Sequence, residues 1–515
     1  MMPLLASLAA ALVLQTEVPF VESRLRFDGE LLGYETPLVN EDQRGDLVVL
    51  VGEAGRRSLY LYLQQEDGSY SQTPDWRFSV PPEVVSYAFF NLREEPGREL
   101  LLLSATGVHS LSPALSGLRG NLRRELELPL FPDLAALDEL PRWGWVRDLD
   151  HDGREELLLV SEGRLLIFQA EQDAEGRRRL SMRGSLPCRT ERQEAEGEVS
   201  LLGGQISFET LSPVITLFPG VPSSVPAFRS TSFVSQTKEW LLPALSDWNG
   251  DGLLDAVWSG SGGFEVLCQQ SDGSFQEGPD PAAGEGIPAA LGDDLRLLDL
   301  DGDGRSEVIA LDSERDGLTG TYTLTVYPRS PDSGDLLPAT ARVKLAAGQV
   351  SFRFHDVNGD GRLDVVARVI ELPSAMQSLT AVHIDMSVLI FEGQQGGGLS
   401  KKPVARFERR MSTEHFTRVR ESQFMELGAD FNGDGLNDLL CLQSDGLLQI
   451  FPLVREGGGI AFADKPLSSY RPPKPVRDAR PALLSRDGVS DLVLRHEDAL
   501  TVFVSKKPGK PEQGR

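Results

Sequence analysis

Short apolar runs separated by turn-forming residues recur along the whole chain. Before residue 356, Phe352 and Phe354 alternate with polar residues, which is the period of two expected of a β-strand. Runs such as DVVARVI, EVIAL, ELLLV and DLVLR are rich in branched residues and are typical of buried strands. The segments LYLYLQQEDGSY and FEVLCQQSDGSF each contain an Asp-Gly pair that favours a hairpin turn. The pattern therefore predicts many short strands joined by tight turns.

A nine-residue acidic motif recurs five times, each time directly before or at the start of an apolar run. It reads DLDHDGREE at Asp148–Glu156, DWNGDGLLD at Asp247–Asp255, DLDGDGRSE at Asp299–Glu307, DVNGDGRLD at Asp356–Asp364 and DFNGDGLND at Asp430–Asp438. Each copy has Asp at position 1, Asp or Asn at position 3, Asp at position 5, Gly at position 6 and an acid at position 9. Three weaker copies keep the acid at position 9, as Asp46, Glu99 and Asp491.

The position-9 acids lie 53, 57, 99, 52, 57, 74 and 53 residues apart along the chain. A unit of 52 to 57 residues explains five of these seven spacings, and the spacing of 74 needs a modest insertion. The spacing of 99 predicts a long insertion loop at residues 189–229, with a hidden degenerate unit as the alternative. One strand before each motif, one after it and a hairpin give about four strands per unit. Repeated four-stranded units predict an all-β fold, a β-propeller over residues 20–504.

The number of motifs predicts eight blades, with seven as the alternative. Arg24–Tyr34 and Ala499–Val504 are strand-like segments near the two ends of the chain, and we expect one blade to combine both. Such a junction removes an exposed sheet edge. If Asp46 and Asp491 shared a blade, the count would fall to seven.

Charge narrows the range of partners. The chain has 515 residues and a formal net charge of −26, from 77 acidic and 51 basic side chains. A field of that sign repels nucleic acid and anionic lipid, so we expect no nucleic-acid partner.

Cys188, Cys268 and Cys441 have no CxxC spacing, which excludes a thiolate metal centre and a disulfide framework.

The N-terminus predicts export. The first 14 residues, MMPLLASLAAALVL, are apolar and uncharged, but a membrane-spanning helix needs about 20 residues. Residues 1–16 fit a secretory signal peptide, with a buried N-terminal strand or helix as the alternative. We therefore expect an exported monomer (periplasmic, cell-surface or secreted) without a transmembrane span. The polar tail 505–515 is expected to be disordered.

Oxygen ligands at alternate positions can surround a hard cation such as Ca²⁺, provided that a glycine permits the sharp turn. Side chains at positions 1, 3, 5 and 9 and the backbone carbonyl at position 7 would supply five ligands in each of the five motifs. The predicted ligands are Asp148, Asp150, Asp152, Arg154 and Glu156; Asp247, Asn249, Asp251, Leu253 and Asp255; Asp299, Asp301, Asp303, Arg305 and Glu307; Asp356, Asn358, Asp360, Arg362 and Asp364; and Asp430, Asn432, Asp434, Leu436 and Asp438.

Two other interpretations of the motif compete with Ca²⁺ binding. An EF-hand or dockerin loop needs an acid at position 12, which here is Leu159, Trp258, Ala310, Ala367 or Cys441. Asp, Asn and Gly also form ordinary turns, and that interpretation suits the three weak copies. The fixed acids of the five intact copies favour about five Ca²⁺ sites.

These motifs and their following strands resemble the FG-GAP and VCBS repeats of integrin-α-type β-propellers. The resemblance covers roughly residues 24–504 and implies Ca²⁺ loops on one rim of the propeller. The chain lacks clear "FG" and "GAP" strings, so it is more similar to the bacterial VCBS-type branch. Members of these families include adhesion modules, lectins and some polysaccharide lyases, and fold alone does not select among them.

Catalytic motifs are missing from the sequence: there is no HExxH, GxSxG, P-loop or helix-opening GxGxxG. We expect a non-enzymatic binding or scaffold module for a protein or glycan partner. The alternative is a propeller-type polysaccharide lyase or another glycan-active enzyme. A cluster of His, Arg, Lys or Tyr at the central channel would favour the enzyme. A third interpretation, a surface-layer component, would have no concave polar site.

Overall fold

The computed structural model describes residues 20–40, 42–53, 55–93, 97–111, 122–130, 140–200, 230–241, 243–260, 263–278, 294–316, 319–330, 335–371, 383–412, 425–443, 446–485 and 487–506. Every regular element in these ranges is a β-strand, and the strands form eight four-stranded antiparallel sheets. Eight four-stranded sheets of this kind are the blades of a β-propeller. The predicted fold and the favoured count of eight blades are therefore confirmed.

The strands of the first four blades follow in chain order. Blade 1 contains β2 (Glu30–Glu35), β3 (Leu47–Glu53), β4 (Arg56–Tyr62) and β5 (Trp76–Val80). Blade 2 contains β6 (Val84–Phe90), β7 (Glu99–Ser104), β8 (Gly107–Leu111) and β9 (Arg123–Glu127). Blade 3 contains β10 (Val146–Arg147), β11 (Glu156–Ser161), β12 (Arg164–Gln172) and β13 (Arg178–Pro187). Blade 4 contains β16 (Ala244–Ser246), β17 (Asp255–Gly260), β18 (Gly263–Gln269) and β19 (Phe275–Glu277).

The other four blades complete the ring. Blade 5 contains β20 (Asp294–Leu298), β21 (Glu307–Asp316), β22 (Thr319–Tyr327) and β23 (Ala341–Ala347). Blade 6 contains β24 (Gln349–His355), β25 (Asp364–Glu371), β26 (His383–Phe391) and β29 (Ala405–Ser412). Blade 7 contains β30 (Met425–Ala429), β31 (Asp438–Leu442), β32 (Leu448–Phe451) and β35 (Ser468–Tyr470). Blade 8 contains β36 (Asp478–Ala482), β37 (Asp491–Arg495), β38 (Ala499–Ser505) and β1 (Phe20–Arg26).

Three two-stranded hairpins are additional to the blades. They pair β14 (Arg189–Ser200) with β15 (Ser230–Leu241), β27 (Gly393–Gln394) with β28 (Gly398–Leu399), and β33 (Leu453–Glu456) with β34 (Gly459–Phe462). The first of them lies where the sequence predicted an insertion loop. Residues 189–200 form a strand because their backbone pairs with a segment about 40 positions later, which local polarity does not reveal. Residues 201–229 lie outside the described ranges.

The ring closes through the N-terminal strand. β1 pairs along its full length with β38, so blade 8 takes its fourth strand from the start of the chain. The predicted junction segment Arg24–Tyr34 divides between β1 in blade 8 and β2 in blade 1. Asp46 precedes β3 of blade 1 and Asp491 opens β37 of blade 8, so the two acids lie in different blades.

Hydrophobic side chains fill the gaps between blades. Eight clusters of buried residues each join two successive blades, and together they account for all eight junctions. Because each sheet is covered on both faces, second strands such as Leu47–Glu53 are continuous apolar runs rather than alternating ones. First strands of neighbouring blades contact one another, as β6 with β10, β16 with β20 and β30 with β36. We therefore place the first strands next to the central axis.

The last strand ends one residue later than the sequence predicted. Ser505, the first residue of the expected tail, is the last residue of β38 and is buried. Ser505 belongs to the strand because it pairs with Phe20 of β1, and its amide donates a hydrogen bond to Asp491 Oδ1 at 2.7 Å. The expected signal peptide, residues 1–16, and residues 507–515 lie outside the described ranges. No helix in those ranges is long and apolar enough to cross a membrane.

Candidate metal loops and channel wall

All eight copies of the motif occupy the same place in the fold. Each forms the connection between the first and second strands of a blade, which we call the A–B loop and number by its blade. The five intact motifs are A–B loops 3 to 7, and the weak copies are loops 8, 1 and 2. Position 9 is the last residue before the second strand or the first residue within it. The position-12 residues all lie in second strands.

The carboxylate at position 1 organises each intact loop. In loop 5, Asp299 accepts the Gly302 N–H at 2.8 Å on one oxygen and the Gly304 N–H at 2.9 Å on the other. Loops 4, 6 and 7 repeat this pair of hydrogen bonds from positions 4 and 6. Loop 3 differs, because Asp148 accepts only the Gly153 N–H, and its buried Oδ1 has no partner.

Positions 4 and 6 both need a left-handed backbone. In loop 5, Gly302 has φ of 77° and Gly304 has φ of 87°. Glycine adopts such angles without a steric penalty. The sequence pattern predicted this need at position 6 only, although four of the five motifs also have Gly at position 4. In loop 3 that position is His151, with φ of 55°.

The remaining loop oxygens also face backbone amides. The position-5 carboxylate accepts the position-7 N–H in all five intact loops, at 2.7 to 3.0 Å. The position-3 oxygen accepts the position-5 N–H in the same loops. In two loops, three acids approach closely enough that one oxygen from each lies within 4.8 Å of the others: Asp148, Asp150 and Glu156, and Asp299, Asp301 and Asp303.

The position-9 carboxylate has a structural role that the sequence did not reveal. In all eight loops it accepts the N–H of position 2, from Asp46 in loop 1 to Asp491 in loop 8. In five loops its other oxygen accepts an amide at or just beyond the end of the third strand; Asp255, for example, accepts Gln269 N–H at 2.8 Å. The acid therefore clamps the loop to the sheet of its own blade.

Burial of this clamp changes its ionisation. Asp255 and Asp364 have no exposed surface, and burial raises the pKa of each to about 6. Burial likewise raises the pKa of Glu156, Glu307 and Asp438 to about 7, and the neighbouring loop carboxylates add to the shift. A bound cation would oppose both effects, since it favours the ionised carboxylates.

Successive A–B loops are joined in a ring. The position-8 N–H donates to the carbonyl of position 1 or 2 in the preceding loop at seven of the eight junctions, for example Leu363 N–H to Leu300 O at 2.8 Å. Gly45 N–H donates to Leu484 O across the closure of the ring. At the junction of blades 2 and 3, the Arg98 and Glu155 side chains pair instead. The loops therefore line one face, with loops 3 to 7 contiguous.

Hairpins from the next blade reach two of the intact loops. The Gly396 N–H, in the turn between β27 and β28 of blade 6, donates to Asp301 Oδ2 of loop 5 at 2.7 Å. Arg455 of β33 in blade 7 donates to the carbonyl of Asn358 in loop 6 at 2.9 Å. The carboxylate at position 3 of loop 5 therefore accepts hydrogen bonds both from its own loop and from the neighbouring blade.

A second candidate site lies on the first strands, beside the channel. One residue of each first strand pairs with the residue two positions after the position-9 acid, so these eight residues form one level around the axis. They are Glu35, Ala88, Trp145, Ala244, Arg296, Arg353, Glu426 and Arg480. Each of these residues lies on the same face of its sheet as its partner on the second strand, and those partners pack towards the next blade. Arg480 of blade 8 therefore lies over the ring of Tyr34 in blade 1, at 5.7 Å.

Blades 6 and 8 have the same pair of arginines. Arg353 and Arg480 occupy the common level, and Arg368 and Arg495 lie four residues after the position-9 acids of their blades. Arg368 donates to Met425 O in blade 7 at 3.1 Å, and Arg495 donates to Leu31 O in blade 1 at 2.6 Å. The acids Glu426 and Asp478 lie among them, at 3.4 Å from Arg368 and 2.6 Å from Arg480.

Comparison with protein families supports the repeat. Residues 247–310 and 299–367 match the FG-GAP-like repeat. A lectin of Agrocybe aegerita that recognises non-reducing terminal N-acetylglucosamine is 13% identical, with 93% of this chain and 96% of that chain covered and a TM-score of 0.37. The exotype rhamnogalacturonan lyase YesX is 12% identical, with 94% and 72% covered and a TM-score of 0.41. Sqt1 from Chaetomium thermophilum is 10% identical, with 94% and 98% covered and a TM-score of 0.40. No curated protein matches the chain by sequence.

Proposed function

We propose that this chain is an exported, calcium-stabilised β-propeller that acts as a binding or scaffold module for a protein or glycan partner. The observation that carries the metal part is the donor set of A–B loops 3 to 7, which is made of carboxylate, amide and carbonyl oxygens. Ca²⁺ takes six to eight such oxygens in flexible geometry, whereas Mg²⁺ retains its waters. Bound Ca²⁺ would neutralise carboxylates that otherwise repel one another across neighbouring loops.

Loop 3 offers the most specific support for this donor set. Asp148 Oδ1 is buried without a hydrogen-bond partner, and such an atom is costly unless a donor or cation reaches it. One oxygen of Asp148, one of Asp150 and one of Glu156 lie within 4.8 Å of one another. Loop 3 would therefore hold its cation with the smallest rearrangement of existing hydrogen bonds.

Metal analysis of the purified protein tests the calcium proposal. After dialysis against millimolar calcium, we expect about five Ca²⁺ per chain, one for each intact loop. Asp301→Ala should remove one ion, whereas Asp42→Ala, in weak loop 1, should remove none. A count below three, or an equal loss in both variants, would contradict the proposal.

The binding role is supported by the ring of loops, which presents a continuous rim, and by the polar channel wall. Glycan and protein arrays probed with and without calcium test it directly. We expect a ligand that is retained in calcium and lost in chelator. The absence of any ligand on both arrays would contradict the binding role, and a structural role alone would then remain.

One observation favours the enzymatic alternative. Arg353 and Arg480 lie on the channel wall and Arg480 covers the ring of Tyr34, which is the kind of cluster expected of a glycan-active enzyme. Incubation with acidic and neutral polysaccharides distinguishes the two functions. New unsaturated or reducing ends that scale with protein concentration and disappear in Arg353→Gln would establish an enzyme. Binding without products would establish the module.

A further inference from the structure

The arginines beside the channel contrast with the charge of the whole chain. The protein has a net charge of −26, yet among the described residues of blades 6 to 8 four arginines and two acids lie on or next to the common level of the first strands. The arginines are Arg353, Arg368, Arg480 and Arg495, and the acids are Glu426 and Asp478. A local excess of positive charge within an acidic protein favours an anion at that place.

Arg353 is the side chain best placed to meet such an anion. It is exposed although it lies on a first strand, whose two faces are covered by neighbouring blades. The solvent it reaches is therefore that of the channel. Within the described ranges, Arg353 makes no hydrogen bond or ion pair, so its donors remain available. A guanidinium presents a planar fork of donors that matches an oxyanion.

One polar atom close to Arg353 also has no hydrogen-bond partner. His355, two residues along the same strand, has a buried Nε2 without a hydrogen-bond partner. Its ring lies against Gly428 of blade 7, where an added Cβ would come within 3.3 Å of the imidazole. Arg353, Arg368 and Glu426 line a small cavity between blades 6 and 7. This edge of the channel therefore combines two positive side chains with an unpaired ring nitrogen.

Blade 8 repeats the arrangement two blades further round the ring. Arg480 is exposed, lies over Tyr34 and pairs with Asp478, and the buried Tyr34 hydroxyl has no partner. Glu426 of blade 7 lies between the two arrangements and interacts electrostatically with Arg353, Arg368 and Arg480. The two arginine pairs thus belong to one charged surface and not to separate patches.

We infer that the channel wall at blades 6 to 8 binds the oxyanion group of a ligand, with Arg353 as its main contact and Arg480 as the second. Carboxylate, sulfate and phosphate groups share the chemistry that these donors recognise. An acidic sugar would supply the first two, and a phosphorylated small molecule would supply the third. This inference deepens the binding role proposed above and depends on it, but it does not depend on calcium in the A–B loops.

Calorimetric titration of the calcium-loaded protein tests the inference, with glucuronate, sulfate and phosphate as probes and glucose as the neutral match for glucuronate. We expect at least one anion to bind and glucose not to bind. Arg353→Gln should weaken anion binding about tenfold or more, because a hydrogen bond to a charged group is among the stronger ones in proteins. Arg480→Gln should weaken it less.

The control is Arg406→Gln, an exposed arginine on the fourth strand of the same blade, away from the first strand. It should leave anion affinity unchanged, and the melting temperatures of all three variants should show that each is folded. If none of the anions binds, or if Arg353→Gln and Arg406→Gln behave alike, the inference is overturned. A neutral glycan found on the arrays would then still support the binding role, so the two failures are distinguishable.

Discussion

Replacing Asp46 with alanine tests whether the position-9 carboxylate stabilises a blade without metal. Asp46 belongs to weak A–B loop 1, for which we propose no cation. It has no exposed surface and accepts the amides of Val39 and Gln64 at 3.1 Å each. Alanine would leave both amides buried without their acceptor, and the loop would lose its attachment to the third strand.

The size of the effect follows from two opposing contributions. A buried donor left without a partner costs about 1–3 kcal/mol, so two of them cost about 4 kcal/mol. Burial raises the pKa of Asp46 from 3.8 to about 6, which means that the ionised carboxylate is itself disfavoured in the folded protein. That penalty is about 3 kcal/mol when the group is fully ionised, and alanine removes it. The net destabilisation above pH 7 should be about 1 kcal/mol.

The pH dependence has a definite sign. Because the folded-state pKa lies above the unfolded value, the folded protein binds the Asp46 proton more tightly than the unfolded chain does. The carboxyl group therefore contributes stability that is present below pH 4 and is lost as the pH rises through about 6. The variant lacks this contribution. Its deficit should therefore be about 1 kcal/mol larger at pH 5 than at pH 8.

Urea unfolding of the wild type, Asp46→Ala and Asp42→Ala at the two pH values measures these differences. Asp42 is exposed at position 5 of the same loop, and its replacement should change the free energy of unfolding by less than about 0.5 kcal/mol. The reasoning is refuted if Asp46→Ala is as stable as Asp42→Ala, or if its deficit shrinks at pH 5. Loss of a bound calcium ion in Asp46→Ala would also refute it.

Three further predictions concern the loops, the ring closure and the metal. Gly302→Ala should lower the melting temperature, because φ is 77° and the added Cβ would lie 3.0 Å from Gly361 O; Gly144→Ala, with open space around it, should not. Deleting residues 1–26 removes β1 and leaves the edge of β38 unpaired, so the protein should aggregate. Size-exclusion chromatography should show this aggregation, whereas deletion of residues 507–515 should not cause it. Chelation should lower the melting temperature of calcium-loaded protein, since a site filled at 1,000 times its Kd contributes about 4 kcal/mol; an unchanged value would contradict calcium binding.

Local features of this fold could be predicted because they depend on residues close in sequence. Strand positions follow from apolar runs, and the A–B loops follow from acids and glycines at fixed spacing within nine residues. The count of eight follows from eight copies of one local motif. The left-handed backbone at position 4 could also have been predicted, because glycine recurs there as Gly250, Gly302, Gly359 and Gly433. The sequence pattern led to that prediction at position 6 only.

Features that depend on pairing between distant segments could not be predicted. The charged stretch at residues 189–200 is a strand only because residues 230–241 pair with it. The position-9 acid was predicted as a metal ligand from spacing alone, whereas its hydrogen bond to the third strand depends on how far that strand extends. Ring closure through β1 makes weak loop 8 a neighbour of weak loop 1, although the two loops lie at opposite ends of the chain.

The sequence alone thus determined the all-β repeat, the blade count and the acidic loops, because each is encoded within one repeat unit. Only the tertiary structure placed Arg353 and Arg480 at one level of the channel. They lie in different blades, and their common level is set by the register of β24 with β25 and of β36 with β37. A shift of one residue in either pairing would turn the arginine to the other face of its sheet, so the channel wall depends on strand register.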